Sequence, residues 1–155
     1  MKDALIEAQN QMYEGGIKGN YSPEENLHLT LAFIGEYPDP EAVLEALSSV
    51  SFTPFTLELQ GLGCFGELWW AGMKESAPLA AVAKRVRRAL ADAGIPFDKK
   101  RFSPHITLIR NSSGTMPEIS MEPFSMSVES ISLFRSDRGK GGMIYTEIGM
   151  IQAQL

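Results

Sequence analysis

Few residues in this chain are equipped for chemistry. It holds two histidines, His28 and His105, and each has a threonine two positions on, Thr30 and Thr107. Six threonines are spread over 155 residues. Chance would give both histidines such a partner roughly once in several hundred sequences of this composition. An imidazole titrates at about pH 6.5, so near neutrality one ring can accept a proton while another donates one. One ring would activate water or a ribose hydroxyl, and the other would protonate a leaving oxygen. The threonine hydroxyls would hold the non-bridging oxygens of a phosphate. Arg110, just beyond Thr107, carries a guanidinium that matches phosphate geometry, with an exposed salt bridge as the equal alternative. Zinc takes three or four protein ligands. No third ligand accompanies the histidines, so neither metal nor cofactor is expected.

Strand geometry would place these groups. Side chains alternate across a strand, so His28 and Thr30 share one face and Leu29 and Leu31 the other. The same holds for His105 and Thr107 against Ile106 and Leu108. The motifs His-Leu-Thr-Leu and His-Ile-Thr-Leu lie about half the chain apart. They form a weak internal echo that suggests two similar lobes, with the two strands facing each other across a pseudo-twofold axis.

Around them the pattern is α+β. Lys2 to Glu14 reads as a helix with Leu5, Ala8, Gln9 and Met12 on one face, followed by Gly15-Gly16 as a stop. Residues 17–26 read as loop, and Leu27–Gly35 as a strand. Asp39-Pro40 caps and opens a second helix with Val43, Leu44 and Leu47 inward. Phe55–Leu62 and Glu67–Met73 read as two strands. Ser76 to Ala93 reads as a third helix carrying Leu79, Val82, Val86 and Leu90 to the core. His105–Ile109, Phe124–Phe134 and Met143–Ile148 complete the strands, with a basic, glycine-rich loop over 135–142. The expected fold is therefore helices interspersed among mainly antiparallel strands, in one domain over residues 1–155.

Composition narrows the class. Hydrophobic residues make up 44% and charged residues 21%, ordinary values for a globular chain. The net charge of −5 argues against coating long nucleic acid, but a local basic patch can still hold a small anion or an RNA terminus. The single cysteine, Cys64, permits no intrachain disulfide and is expected half-buried in an apolar strand. No run approaches the roughly 20 apolar residues of a membrane span, and the first residues lack a leader's apolar core. Cytoplasm is the expected location.

At the two motifs the sequence resembles the 2H phosphoesterase superfamily. Within it, the resemblance is to the bacterial and archaeal RNA 2′,3′-cyclic phosphodiesterases, also called 2′-5′ RNA ligases. Residues 25–35 (ENLHLTLAFIG) resemble the first motif block, and residues 102–110 (FSPHITLIR) the second. Residues 131–136 and 142–145 resemble the family's closing strand pair. The resemblance implies two pseudo-symmetric α+β lobes flanking an active-site cleft. It also implies metal-independent opening of a 2′,3′-cyclic phosphate, on RNA ends or small cyclic nucleotides, to leave a 2′-phosphate. It suggests His105 as base and His28 as acid, with the exchanged roles as the alternative in a pseudo-symmetric site, and His28, Thr30, His105, Thr107 and Arg110 as the site. Some relatives join RNA ends through a 2′-5′ linkage. A ligase, or a phosphodiesterase for another cyclic or 2′-5′ linked nucleotide, is therefore the alternative, and a non-catalytic RNA-end binder comes last. Relatives commonly begin with an apolar strand, whereas this chain begins at a helix. A monomer is expected unless an open sheet edge pairs two chains into a strand-mediated dimer.

Other residues keep two readings. Trp69 and Trp70 must face opposite ways, one into the core and the other toward packing or a nucleobase. Lys84, Arg85, Arg87 and Arg88 form either a solvated helix face or an RNA track. Lys99-Lys100-Arg101, Arg135, Arg138 and Lys140 could supply local positive potential, and Tyr145 could line the site.

Overall fold

Helix α1 (Lys2–Glu14) buries Ala4, Leu5, Ala8, Gln9 and Met12 along one stripe, the face its three- and four-residue spacing predicts. The structure, a computed structural model, describes residues 2–155. Its chain divides into two compact units. Unit 1 comprises the chain through Thr30, Leu57–Glu75 and Pro104–Met126, and unit 2 comprises Leu31–Thr56, Ser76–Ser103 and Ser127–Leu155.

Unit 1 packs α1 on a sheet of strand order β1-β4-β3-β2-β5, of whose last strand it holds the first two residues. The strands are β1 (Lys18–Tyr21), β2 (Phe55–Phe65), β3 (Leu68–Met73), β4 (His105–Ser113) and β5 (Ser125–Val128). Pairs β1/β4, β2/β3 and β3/β4 are antiparallel. The core joins Leu5, Ala8 and Met12 of α1 to Leu59, Ala71, Ile106, Leu108 and Ile109 of the sheet. Gln9 is the one buried polar side chain among the described residues. Its amide donates to the carbonyls of Ser22 and Leu108, both at 2.9 Å, so its burial is compensated.

Unit 2 contains α2 (Pro40–Leu47), α3 (Ala77–Asp92) and the antiparallel pair β6 (Ser130–Gly139) and β7 (Gly142–Gln152). Asp39 Oδ1 accepts the Ala42 N–H at 3.1 Å and Ser76 Oγ accepts the Leu79 N–H at 3.2 Å, so each helix starts at a side-chain cap. Val43, Leu47, Val82, Val86 and Leu90 meet Phe52 and Ile95 in the core of this unit.

Several elements differ from the sequence reading. Residues 18–21 form β1, and Glu24–Asn26 form a 3₁₀ turn. The expected strand Leu27–Gly35 alternates only as far as Leu31, since Leu31 and Ala32 are both half-buried, and it forms only one bridge, Leu29 to Ile106. Beyond that bridge two of its carbonyls are satisfied without a ladder. Leu31 accepts from Arg87 Nε at 3.2 Å and Phe33 from the Asp98 N–H at 2.8 Å. Phe124–Phe134 is interrupted at Glu129, giving β5 and β6 in different sheets. The expected loop 135–142 is a hairpin, in register from Phe134↔Glu147 to Gly139↔Gly142 with Lys140-Gly141 at its tip. Cys64 is exposed rather than half-buried.

Candidate active site

Both histidine motifs belong to unit 1. The antiparallel bridge between Leu29 and Ile106 sets His28 opposite Thr107 and Thr30 opposite His105. Leu29 and Ile106 both pack on the unit 1 core. The two imidazoles and two hydroxyls therefore share the opposite face of one sheet. At such a register, diagonal neighbours have backbones about 7–8 Å apart. Imidazoles reaching inward from that spacing can approach one phosphorus from two sides. The motifs thus meet as neighbouring extended segments of a single unit. His28 and Thr30 are exposed, and His105 and Thr107 are half-buried.

A bulge brings Arg110 to the same face. In the β3/β4 ladder Trp70 opposes Thr107 but Trp69 opposes Ile109, so Leu108 is the extra residue. Leu108 and Ile109 are both fully buried, and the alternation restarts one residue later. Arg110 then pairs with Asn20 of β1, on the face away from the core-facing pair Tyr21 and Ile109. The freed Leu108 carbonyl is held by the Gln9 amide and by the Ser22 N–H, each at 2.9 Å. A buried glutamine on α1 therefore stabilises the kink that turns Arg110 outward.

His28 is oriented by its own turn. Its Nδ1 lies 2.6 Å from the Asn26 carbonyl, and a carbonyl can only accept, so Nδ1 carries the hydrogen. That leaves Nε2 as the nitrogen able to exchange a proton with a ligand.

His105 stands among aromatic rings. The Trp70 centroid is 6.0 Å from its ring and the Phe65 centroid 5.4 Å, the latter edge-on at 86°. Phe65 and Trp70 are themselves 5.3 Å apart. Of the two tryptophans, Trp69 packs on the core and Trp70 is the one beside the histidine. Trp70 Nε1 is buried and finds no acceptor among the described residues. Phe65 is the functional candidate that sequence reasoning missed. It ends β2 at a tight turn where Gly66 has φ +60°, and only its position before that glycine hinted at a loop-tip aromatic.

The remaining expected contributors lie in unit 2. Arg135 is paired with Asp137 on its own strand at 3.2 Å. Arg138 is on β6, Lys140 is at the hairpin tip, and Tyr145 lies opposite Ser136 on β7. Lys99-Lys100-Arg101 occupy the segment after α3. Among the described residues no three His, Cys, Asp or Glu side chains cluster as a metal site requires. No described helix is long and apolar enough to cross a membrane.

A paired His-x-Thr face on an antiparallel α+β scaffold defines a phosphoesterase of the two-histidine kind. The chain belongs to the 2′-5′ RNA ligase superfamily, whose family model matches residues 17–140. It is similar to the RNA 2′,3′-cyclic phosphodiesterase of Aeropyrum pernix, 31% identical over an alignment of 170 residues that covers 99% of this chain and 97% of that protein. A Geobacillus stearothermophilus protein of the same name is 39% identical over 103 residues, 61% of this chain, and the chain spans only 33% of that relative's length. Among solved structures, Escherichia coli LigT in complex with 3′-AMP superposes with a TM-score of 0.83 at 27% identity, covering 99% of this chain and 90% of that one. LigT has also been crystallised with phosphate, ATP and NADP+.

Proposed function

We propose that this enzyme hydrolyses the 2′,3′-cyclic phosphate of RNA ends or nucleotides to a 2′-phosphate, with His28 and His105 as its proton-transfer pair. The observation that carries this reading is the Leu29–Ile106 bridge, which gathers both His-x-Thr motifs on one face. Relatives aligned over nearly the whole chain carry the same activity in their names, and a structural neighbour holds 3′-AMP.

In this mechanism His105 takes a proton from water as the oxygen attacks phosphorus. The bond from phosphorus to O3′ breaks, and His28 Nε2 delivers a proton to O3′. The product keeps its monoester at O2′, and solvent returns each ring to its starting state. The Asn26 carbonyl supports the role of His28 by keeping hydrogen on Nδ1. Thr30, Thr107 and Arg110 hold the non-bridging oxygens, stabilising the charge that builds on them. Phe65 offers an exposed ring beside His105 on which a base can stack. Residues 1–155 act as a single catalytic domain, and one free thiol fits a cytoplasmic setting.

The test is turnover of the four nucleoside 2′,3′-cyclic phosphates in EDTA, with identification of the product phosphate position. His28→Ala and His105→Ala should each lower kcat by about 10²–10⁴-fold. Wild-type rates in both variants would refute the assignment.

A further inference from the structure

The molecule's charge is sharply segregated. Residues 84–101 hold seven of the fourteen Lys and Arg but only two of the nineteen Asp and Glu. This stretch is therefore +5 within a chain of −5, and the remainder is −10. It comprises the second half of α3 and the segment that follows, both in unit 2. There they line an open groove of about 660 Å³, with alanines of α3, Phe97 and Phe102 among its apolar lining and Lys84, Arg88 and Arg101 among its cations.

Arg87 is the internal post of this groove. Its Nε donates to the Leu31 carbonyl at 3.2 Å and its Nη1 to the Lys100 carbonyl at 2.7 Å. Its guanidinium lies 5.9 Å from the Phe97 ring centroid and 5.8 Å from that of Phe102. The loop is thereby held against α3, with Phe97 and Phe102 half-buried rather than fully covered. The three rim cations are exposed. Of the two acids, Asp98 accepts the Lys100 N–H at 2.9 Å and Asp92 faces Arg88 at 4.0 Å across an exposed pair, which screens Arg88 only weakly.

We propose that this groove binds single-stranded RNA, a site separate from the two-histidine face. The proposal rests on the reading that RNA ends are the substrate. A cationic rim over aromatic and aliphatic walls matches a strand that presents both phosphates and unpaired bases. A duplex hides its bases, and an acidic peptide lacks flat groups to stack. With +5 on residues 84–101 and −10 on the remainder, the balance of charge favours this patch for a polyanion. Phe102 lies three residues before His105, and Leu31 directly follows Thr30, so the segments that build the groove are continuous in sequence with both motifs.

The experiment is fluorescence anisotropy of a labelled eight-nucleotide oligouridine with an unreactive 3′-hydroxyl. Three rim contacts predict a slope of log affinity on log salt of about −2. The triple variant Lys84→Gln, Arg88→Gln, Arg101→Gln should lose most of that slope and bind on the order of tenfold to a hundredfold more weakly at 0.1 M salt. Its turnover of a mononucleotide 2′,3′-cyclic phosphate should match the wild type. Unchanged oligonucleotide affinity in the triple variant overturns the proposal, as does equally tight competition by polyglutamate of the same charge. If the triple variant fails to fold, Lys84→Gln and the wild-type salt slope decide, and a slope near zero overturns it. A wild type that binds the oligonucleotide but turns over no cyclic nucleotide would sink the catalytic reading and leave the groove standing.

Discussion

Gly63 offers a direct test of how the aromatic wall positions His105. Across the β2/β3 ladder Gly63 opposes Trp70, and the indole lies over the glycine. A methyl added at Gly63 would sit 2.9 Å from Cε2 of that ring and closer still to Cζ2 and Cη2, whereas ordinary contact begins at 3.4 Å. Retreat is limited, because Phe65 is 5.3 Å and His105 6.0 Å from the indole, centroid to centroid. In Gly63→Ala the ring must therefore move by roughly 0.5–1 Å to regain van der Waals separation. Overpacking of this kind costs about 1–3 kcal/mol. A catalytic group displaced by about 1 Å loses on the order of 10²-fold in rate. The assay is kcat on a 2′,3′-cyclic nucleotide, alongside urea unfolding and the emission of the two tryptophans. Gly63→Ala combined with Trp70→Phe should recover part of the stability, because the smaller ring vacates the clash. A Gly63→Ala protein with wild-type kcat and an unchanged unfolding midpoint would show that the indole does not pin His105.

Two further outcomes follow from unit 1. Gln9→Leu removes both amide hydrogen bonds beneath the β4 bulge, and at about 1 kcal/mol net for each it should destabilise by about 2 kcal/mol. Urea unfolding measures this, and a loss below about 0.5 kcal/mol would contradict the role given to Gln9. Tyr21 donates its hydroxyl to the Ile17 carbonyl at 2.7 Å. Burial, and then the neighbouring Tyr13 phenol, raise its pKa above the ordinary 10.0. The unfolded phenol thus ionises first, so the stability from Tyr21 is complete below pH 10.0 and is lost as pH rises through the folded value. Tyr21→Phe should flatten that alkaline decline relative to wild type; identical declines on thermal melts between pH 9 and 11 would refute the linkage.

Much of the fold was legible because its signals are local. The stripe Leu5, Ala8, Gln9, Met12 is buried as its spacing predicts, and Asp39 caps α2 through a bond three residues away. The errors fall where hydrogen bonding is decided at a distance. Leu27–Gly35 has the composition of a strand, but two of its carbonyls find Arg87 and Asp98 instead of a ladder. Phe124–Phe134 alternates apolar residues with serines, and the alternation changes phase at Glu129-Ser130, the point where β5 ends and β6 begins in a different sheet. The loop expected over 135–142 becomes strand because β7 supplies a matching register.

The sequence alone determined that imidazole and hydroxyl stand at alternate positions in both motifs, and such groups share a face in any extended chain. It also determined the helices, whose periodicity and caps act within a few residues. Tertiary structure alone decided that the two motifs meet in one unit through Leu29 and Ile106, and that an extra residue at Leu108 turns Arg110 to their side. It alone set Phe65 and Trp70 around His105. Those outcomes depend on register between segments tens of residues apart, and register follows from the packing of the whole core rather than from any local pattern.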